Sequence, residues 1–393
     1  MKQARIHPQS PLRGSLQVPG DKSISHRAII FSALANGVSE LRGLLHSEDV
    51  RATMGCFREL GVPIETQDEK VIVHGVGLKG LQAPTKVLDC GNSGTTMRLM
   101  MGLLAAQPFV SRLTGDPSLN RRPMGRVIQP LKSMGANIEE ERASETERVI
   151  RIEGRPLRGI RYEMPVASAQ VKSALLLAGL YASGRTEVVE NQSSRNHTEL
   201  ILKGKGAALQ ISDGVYGIQA TPSLKAENLE IPGDISSAAF FLVGGAINPG
   251  SEIALLGVGV NPTRTGILDV LQAMGAKVQM ENPRQVGGEP VADLKVEYAP
   301  LRGTEVAGPL IPRLIDEIPI LALAGLRAQG RTLIRQAEEL RVKETDRIGA
   351  LVENFQNLSI NIKELPDGME IEGPQEIQGG KVLGHGDHRM VMT

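Results

Sequence analysis

DKSISHRAIIFSALANG (residues 21–37), GNSGTTMRLMMGLLAAQ (91–107) and ASAQVKSALLLAGLYASG (167–184) are three versions of one segment. GDISSAAFFLVGGAI (233–247), DEIPILALAGLRAQG (316–330) and GDHRMVMT (386–393) are three more. Each has an entry rich in Gly, Ser, Asp or Asn and continues as a helix apolar almost all round, which predicts burial rather than a place on the surface. Their anchors Lys22, Asn92, Ser168, Asp234, Asp316 and Asp387 lie 70, 76, 66, 82 and 71 residues apart. A second marker alternates with the first: an amphipathic helix that stops at Gly and passes into a strand. CFRELGVPIE, LKSMGANIEE, LKGKGAALQI and LQAMGAKVQM place Gly61, Gly135, Gly206 and Gly275 at spacings of 74, 71 and 69, with a degenerate fifth copy, ENFQNLSINI, near Asn357. Glycine directly after a helix is the expected left-handed cap. Each copy then leads to a return strand (KVIVHG, VIRIEG, VYGIQA, DLKVEY, MEIEG), and Asp213-Gly214 and Asp367-Gly368 read as hairpin turns.

Two markers at near-equal spacing make the chain six α/β units of about 70 residues, each helix, strand, helix, strand, strand. Six group as three plus three, with a hinge near 231–234 at Ile231-Pro232-Gly233. Residues 21–233 then form one lobe, and residues 1–20 with 234–393 form a discontinuous other. The sixth unit stops at Thr393, about one turn into its first helix, so the sequence reads as C-terminally truncated relative to the repeat.

Composition narrows the function. The 44 Lys and Arg balance the 44 Asp and Glu, which argues against coating nucleic acid or an anionic membrane. Aromatic residues are 3% with no Trp, too few for base-stacking platforms. Cys56 and Cys90 cannot build a disulfide framework or a four-ligand zinc site. His385, Asp387 and His388 lack a further ligand cluster, so no metal is expected. The start has no apolar signal region and no stretch could span a bilayer, which predicts a cytoplasmic protein.

Charge collects instead at the openings of helices. Asp21–Arg27 places two cations and two hydroxyls in one first turn. Gly91–Arg98 is a Gly/Ser/Thr turn with an Arg one turn in, and Arg121-Arg122 precede Pro123, read as the first helical position. Arg341–Arg347 packs three cations and two carboxylates around Thr345, read as an N-cap, and Asp387-His-Arg389 opens the last helix. Cations there oppose the helix dipole, so their recurrence points to bound anions held by backbone N–H groups and side chains together. No Walker loop and no dinucleotide fingerprint occurs.

DKSISHRA, GNSGTTMR, LTGDPSLNRRPMG, SAQVKSALLLAGL, GDISSAAFFL, RVKETDRI and GDHRM together resemble the 5-enolpyruvylshikimate-3-phosphate synthases (3-phosphoshikimate 1-carboxyvinyltransferases), from Gly20 to Met390. The resemblance implies an inside-out α/β fold of two lobes, each with three repeat units about a pseudo-threefold axis. It implies transfer of the enolpyruvyl group of phosphoenolpyruvate to the 5-hydroxyl of 3-phosphoshikimate, with release of phosphate and no cofactor. Lys22, Ser23, Arg27, Ser168, Ala169, Gln170, Arg195, Asp316 and Lys343 would hold 3-phosphoshikimate. Lys22, Asn92, Gly94, Thr95, Arg122, Gln170, Arg347 and Arg389 would hold phosphoenolpyruvate. Asp316 would deprotonate the hydroxyl, Glu344 would exchange a proton with the methylene carbon, and Lys22 would serve proton traffic and the leaving phosphate. Ala169 with Arg195 matches the second class of these enzymes, and the family's late lysine would lie beyond Thr393. A monomer acting on small molecules, with no nucleic-acid or membrane partner, is expected. The rivals are the enolpyruvyl transferase of UDP-N-acetylglucosamine and a non-catalytic or RNA-end-binding relative. The first carries a catalytic Cys in a loop where this chain has Asp116–Asn120, and the second calls for basic or aromatic surplus.

Overall fold

The computed structural model describes residues 4, 5 and 11–393. Helices α1 (Lys22–Ala33), α2 (Glu48–Glu59), α3 (Gly94–Leu104), α4 (Gly125–Ser133), α5 (Ala169–Gly179), α6 (His197–Gly204), α7 (Ile235–Ile247), α8 (Gly266–Ala273), α9 (Ile318–Arg327), α10 (Arg347–Asn357) and α11 (His388–Met392) alternate in character. The odd-numbered ones are the apolar segments and the even-numbered ones the amphipathic segments that close on an αL residue. Helix, strand, helix, strand, strand recurs five times, and α11 opens the sixth copy.

The chain divides into two compact units, residues 19–232 with 285–289, and residues 1–18, 233–284 and 290–393. The short segment 285–289, at the tip of the Lys277–Val286 and Glu289–Glu297 hairpin, belongs to the first unit, which periodicity alone does not reveal. Three sheets of one pattern build the first unit. In each, a short strand lies parallel to the next, and two antiparallel strands complete the order; Leu88–Asp89, Val110–Thr114, Arg148–Glu153 and Asn137–Arg142 are one such set. The second unit contains two sheets of the same order, one of which takes Arg13–Gln17 as its parallel edge beside Glu252–Gly259.

The core of the first unit is drawn from α1, α3 and α5, where Ile29, Ile30, Leu99, Met100, Leu175 and Leu176 are fully buried. Helices α3 and α5 approach so closely that a Cβ on Gly102 would overlap the carbonyl of Ala174. The two helices also meet near their N-termini, where Gln170 of α5 bonds Thr95 and Arg98 of α3. The second unit has its own core around α7 and α9. None of the helices in the described residues is long and apolar enough to cross a membrane.

Gly61, Gly135, Gly206 and Gly275 all take positive φ (84°, 101°, 81° and 90°), the caps that the spacing predicts. In the degenerate fifth copy the left-handed residue is Ser359, at φ 61°. Three local expectations are corrected. Asp213-Gly214 is the two-residue turn expected, with both φ positive, but the other hairpin pairs Leu365 with Gly368 and turns on Pro366-Asp367. Gly368 is required because a Cβ there would overlap the carbonyl of Ile334. Pro123 is not a first helical residue: the proline at N1 is Pro117, in the short helix Pro117–Arg121, and α4 starts at Gly125. Pro123 acts backward, holding Arg122 in extended backbone (φ −67°, ψ 143°) and ending the short helix. The N-cap of α10 is Asp346 rather than Thr345; its carboxylate accepts from the N–H groups of Ile348 and Gly349 at 3.1 Å each.

Candidate active site

In the first unit the predicted residues gather at the openings of α1, α3, α5 and α6. Asp21 caps α1 by accepting from Ile24 N at 2.8 Å, which fixes Lys22 and Ser23 in the first turn. Lys22 Nζ lies 3.2 Å from Asp49 Oδ2 in the first turn of α2, so its ammonium is steered by a neighbouring carboxylate. Arg27, one turn on, is buried among hydroxyls. Its Nε donates to Thr198 Oγ1 at 2.6 Å, Nη2 to Ser173 Oγ at 2.8 Å and Nη1 to Ser23 O at 3.0 Å. Burial pushes its pKa down to about 10, against the pull of Glu199 and Asp21; the charge of Arg195 pushes the same way as burial.

Ser93 caps α3, so Asn92 and Gly94 flank the first turn. Arg122 Nη2 donates to Asn92 Oδ1 at 2.7 Å, while Asn92 Nδ2 donates to Asp116 Oδ2 at 2.6 Å. The neighbouring α5 is capped by Ser168, with Ala169 as its first residue. Gln170 then reaches across to α3: its Nε2 donates to Thr95 Oγ1 at 2.9 Å, and its Oε1 accepts from Arg98 Nη1 at 2.6 Å. Asn92, Gly94, Thr95, Arg122 and Gln170 are thus one polar cluster, and Arg98 completes it. Arg98 stands out in the sequence as a cation one turn into an apolar helix, but the resemblance assigns it to neither substrate.

In the second unit Arg347 is the hub. It opens α10 with a side chain only 2% exposed, and three carboxylates meet its guanidinium. Nε donates to Asp387 Oδ2 at 2.7 Å, Nη2 to Glu344 Oε2 at 2.8 Å and Nη1 to Asp316 Oδ1 at 3.1 Å. Burial alone would lower its proton affinity, but Glu344, Asp316 and Asp387 outweigh it and hold the guanidinium above its ordinary range. Arg389 Nε approaches the same Asp316 oxygen at 3.9 Å, and Lys343 lies in the turn just before Glu344. Asp387, which caps α11 through Arg389 N at 2.9 Å, is not among the site residues expected from the sequence.

Among the described residues no group of three His, Cys, Asp or Glu side chains is fit to hold a metal. Cys56 and Cys90 are free and buried. His26 is fully buried with Nδ1 2.7 Å from Thr53 Oγ1.

This geometry sets polar and charged groups at the N-termini of buried helices, repeatedly and in one architecture. The family model for EPSP synthase (3-phosphoshikimate 1-carboxyvinyltransferase) matches residues 6–393. The chain belongs to the EPSP synthase family. It is 53% identical over 389 residues to the 3-phosphoshikimate 1-carboxyvinyltransferase of Alkalilimnicola ehrlichii, covering 99% of this chain and 87% of that relative. It is 51% identical over 382 residues to the one from Alkaliphilus metalliredigens, covering 97% and 89%. A solved EPSP synthase from Acinetobacter baumannii superposes with a TM-score of 0.85 at 44% identity, over 97% of this chain and 88% of that one. The enolpyruvyl transferase NikO from Streptomyces tendae shares the fold, with a TM-score of 0.74 at 17% identity over 94% and 84%. EPSP synthase relatives therefore account for both the repeat and the charged helix openings.

Proposed function

We propose that this chain transfers the enolpyruvyl group of phosphoenolpyruvate to the 5-hydroxyl of 3-phosphoshikimate, releasing inorganic phosphate. The observation that carries the reading is the pairing of Asp316 and Glu344 on one buried guanidinium, in a chain of this family. Addition–elimination needs a base for the hydroxyl, an acid for the methylene carbon and cations for the developing charge. Arg347 presents two carboxylates in fixed orientation, so each can take a separate proton-transfer role.

In the addition step, Asp316 orients the 5-hydroxyl and takes its proton as the oxygen bonds to C2 of phosphoenolpyruvate. Glu344 delivers a proton to C3. In the elimination step, Glu344 takes a proton back from the new methyl group, the C–O bond to phosphate breaks, and the proton held by Asp316 passes with the help of Lys22 to the leaving phosphate. Ser23, Arg27, Ser168, Ala169, Gln170, Arg195 and Lys343 are assigned to 3-phosphoshikimate. Asn92, Gly94, Thr95, Arg122, Gln170, Arg347 and Arg389 are assigned to phosphoenolpyruvate. The polar cluster of Asn92, Thr95, Arg122 and Gln170 supports the second assignment, because its donors suit a phosphate or carboxylate. The occurrence of Ala169 together with Arg195 in the sequence supports placement in the second class. The protein works as a cytoplasmic monomer on these two small molecules. Calorimetric titration tests the acceptor: 3-phosphoshikimate binds and UDP-N-acetylglucosamine does not, whereas the reverse preference overturns the reading.

A further inference from the structure

Beneath the residues assigned to 3-phosphoshikimate lies a set of buried charges that the reaction does not use. Lys172, on α5, is fully buried, and the side chains of Glu190 and Glu199 are each 1% exposed. Lys172 Nζ donates to Glu190 Oε2 at 2.8 Å and lies 2.6 Å from Glu199 Oε1, an ion contact outside hydrogen-bond alignment. The ring of Tyr216 closes the pocket, 4.0 Å from Nζ. Burial would strip this ammonium of its proton, yet Glu199 and Glu190 hold its pKa above the ordinary value.

Burying a lysine between two carboxylates is a poor way to add stability, since desolvation offsets most of the attraction. The positions of the partners suggest another use. Glu190 ends the strand Arg185–Glu190 and accepts from both the N–H (3.3 Å) and the hydroxyl of Ser194, the residue before Arg195. Glu199 lies in the first turn of α6, next to Thr198, whose hydroxyl meets both Arg27 Nε and, at 2.6 Å, Ser173 Oγ. Ser173 follows Lys172 and sits one turn beyond Ser168–Gln170 on the same helix. One connected network therefore reaches Arg27 on α1, Ser168–Gln170 on α5 and Arg195 before α6. Within it Lys172 and Arg27 offset Glu190 and Glu199, and Arg195 adds a further positive charge.

We propose that Lys172 is a positioning residue for 3-phosphoshikimate. Held between Glu190 and Glu199, it locks the 191–196 loop with Arg195 to the helix carrying Ser168–Gln170 and cancels a carboxylate charge that would repel the substrate phosphate. No bond joins it to the phosphoenolpyruvate cluster of Asn92, Thr95, Arg122 and Gln170, and Gln170, though on the same helix, is held separately by Thr95 and Arg98. The inference rests on the substrate assignment proposed above.

The test is calorimetric titration of 3-phosphoshikimate into the parent chain, Lys172→Met and Ser194→Ala, with the KM for phosphoenolpyruvate measured at saturating 3-phosphoshikimate. Lys172→Met should raise the 3-phosphoshikimate Kd by about 10- to 100-fold, the size usual for removing a partner that orients a binding group. Ser194→Ala, which keeps every charge and only unties the loop, should raise it by about 3- to 10-fold. The phosphoenolpyruvate KM should stay within about twofold in both, a split that general loosening does not produce. If Lys172→Met fails to fold, Ser194→Ala decides. Unchanged 3-phosphoshikimate affinity in a folded variant, or equal weakening of both substrates, overturns the inference. A parent chain that does not bind 3-phosphoshikimate at all overturns the functional reading itself, and this inference with it.

Discussion

A methyl group added at Gly94 probes the phosphoenolpyruvate cluster most sharply. Gly94 is the first residue of α3, and its φ is not among the positive values, so alanine imposes no backbone strain there. An ideal Cβ there would stand 2.9 Å from Arg98 Nη1 and 3.1 Å from Arg122 Nη1. Both contacts are closer than van der Waals separation, so both guanidiniums must give by a few tenths of an ångström. Neither can do so without straining a bond, since Arg98 Nη1 serves Gln170 at 2.6 Å and Arg122 Nη2 serves Asn92 at 2.7 Å. A hydrogen bond from a charged donor contributes about 1.5–3 kcal/mol, and weakening one to half that value loses about 0.75–1.5 kcal/mol. The KM for phosphoenolpyruvate should therefore rise by about 3- to 13-fold. Glyphosate, the longer inhibitor of the family, should lose more, about 100-fold or above, because it must share the narrowed space as well. Steady-state kinetics of Gly94→Ala with and without glyphosate measures both. A parent already tolerant of glyphosate, an unchanged inhibition constant in the variant, or equal losses for inhibitor and substrate would refute the argument.

Arg347→Ala leaves Asp316, Glu344 and Asp387 clustered without their cation; unfolding in urea should show a loss of about 3–5 kcal/mol, and phosphoenolpyruvate should weaken far more than 3-phosphoshikimate in titrations of the folded protein. His26 has its pKa pushed down to about 3, chiefly by burial, so the unfolded chain binds an extra proton between about pH 6.5 and 3. Its contribution is complete above pH 6.5 and is lost as pH falls through that window, by about 1.4 kcal/mol per unit, and His26→Asn should flatten the fall in denaturation free energy between pH 6.5 and 4.5. Asn354 exchanges two 2.8 Å hydrogen bonds with the backbone of Leu383, so Asn354→Ala should cost about 1–3 kcal/mol and expose residues 374–387 to limited proteolysis.

The repeat was legible because two strong local signals recur in register. A helix apolar on every face must be buried, and a glycine that ends an amphipathic helix must supply the left-handed cap. Local chemistry failed where two devices compete for one position. Pro123 satisfies the rule for a first helical residue, yet its restriction on Arg122 decides the backbone. Thr345 and Asp346 are both good caps, and the carboxylate that reaches two N–H groups takes the place. The polar clusters were legible as charged helix openings but not as partnerships. Which carboxylates Arg347 would gather, and that Arg98 would share Gln170 with Thr95, depend on helices brought together by the core, as Gly102 against Ala174 shows for α3 and α5. Lys172 read as one more residue of an apolar helix, because nothing local announces Glu190 and Glu199 as its partners.

The most direct measurement is inorganic phosphate released from phosphoenolpyruvate by this chain, with 3-phosphoshikimate or UDP-N-acetylglucosamine as acceptor, alongside Asp316→Asn and Glu344→Gln. The account predicts release that requires 3-phosphoshikimate, ignores the UDP-sugar, and falls by at least about 100-fold in each variant. Release that depends on the UDP-sugar, or undiminished turnover with both carboxylates replaced, would contradict it.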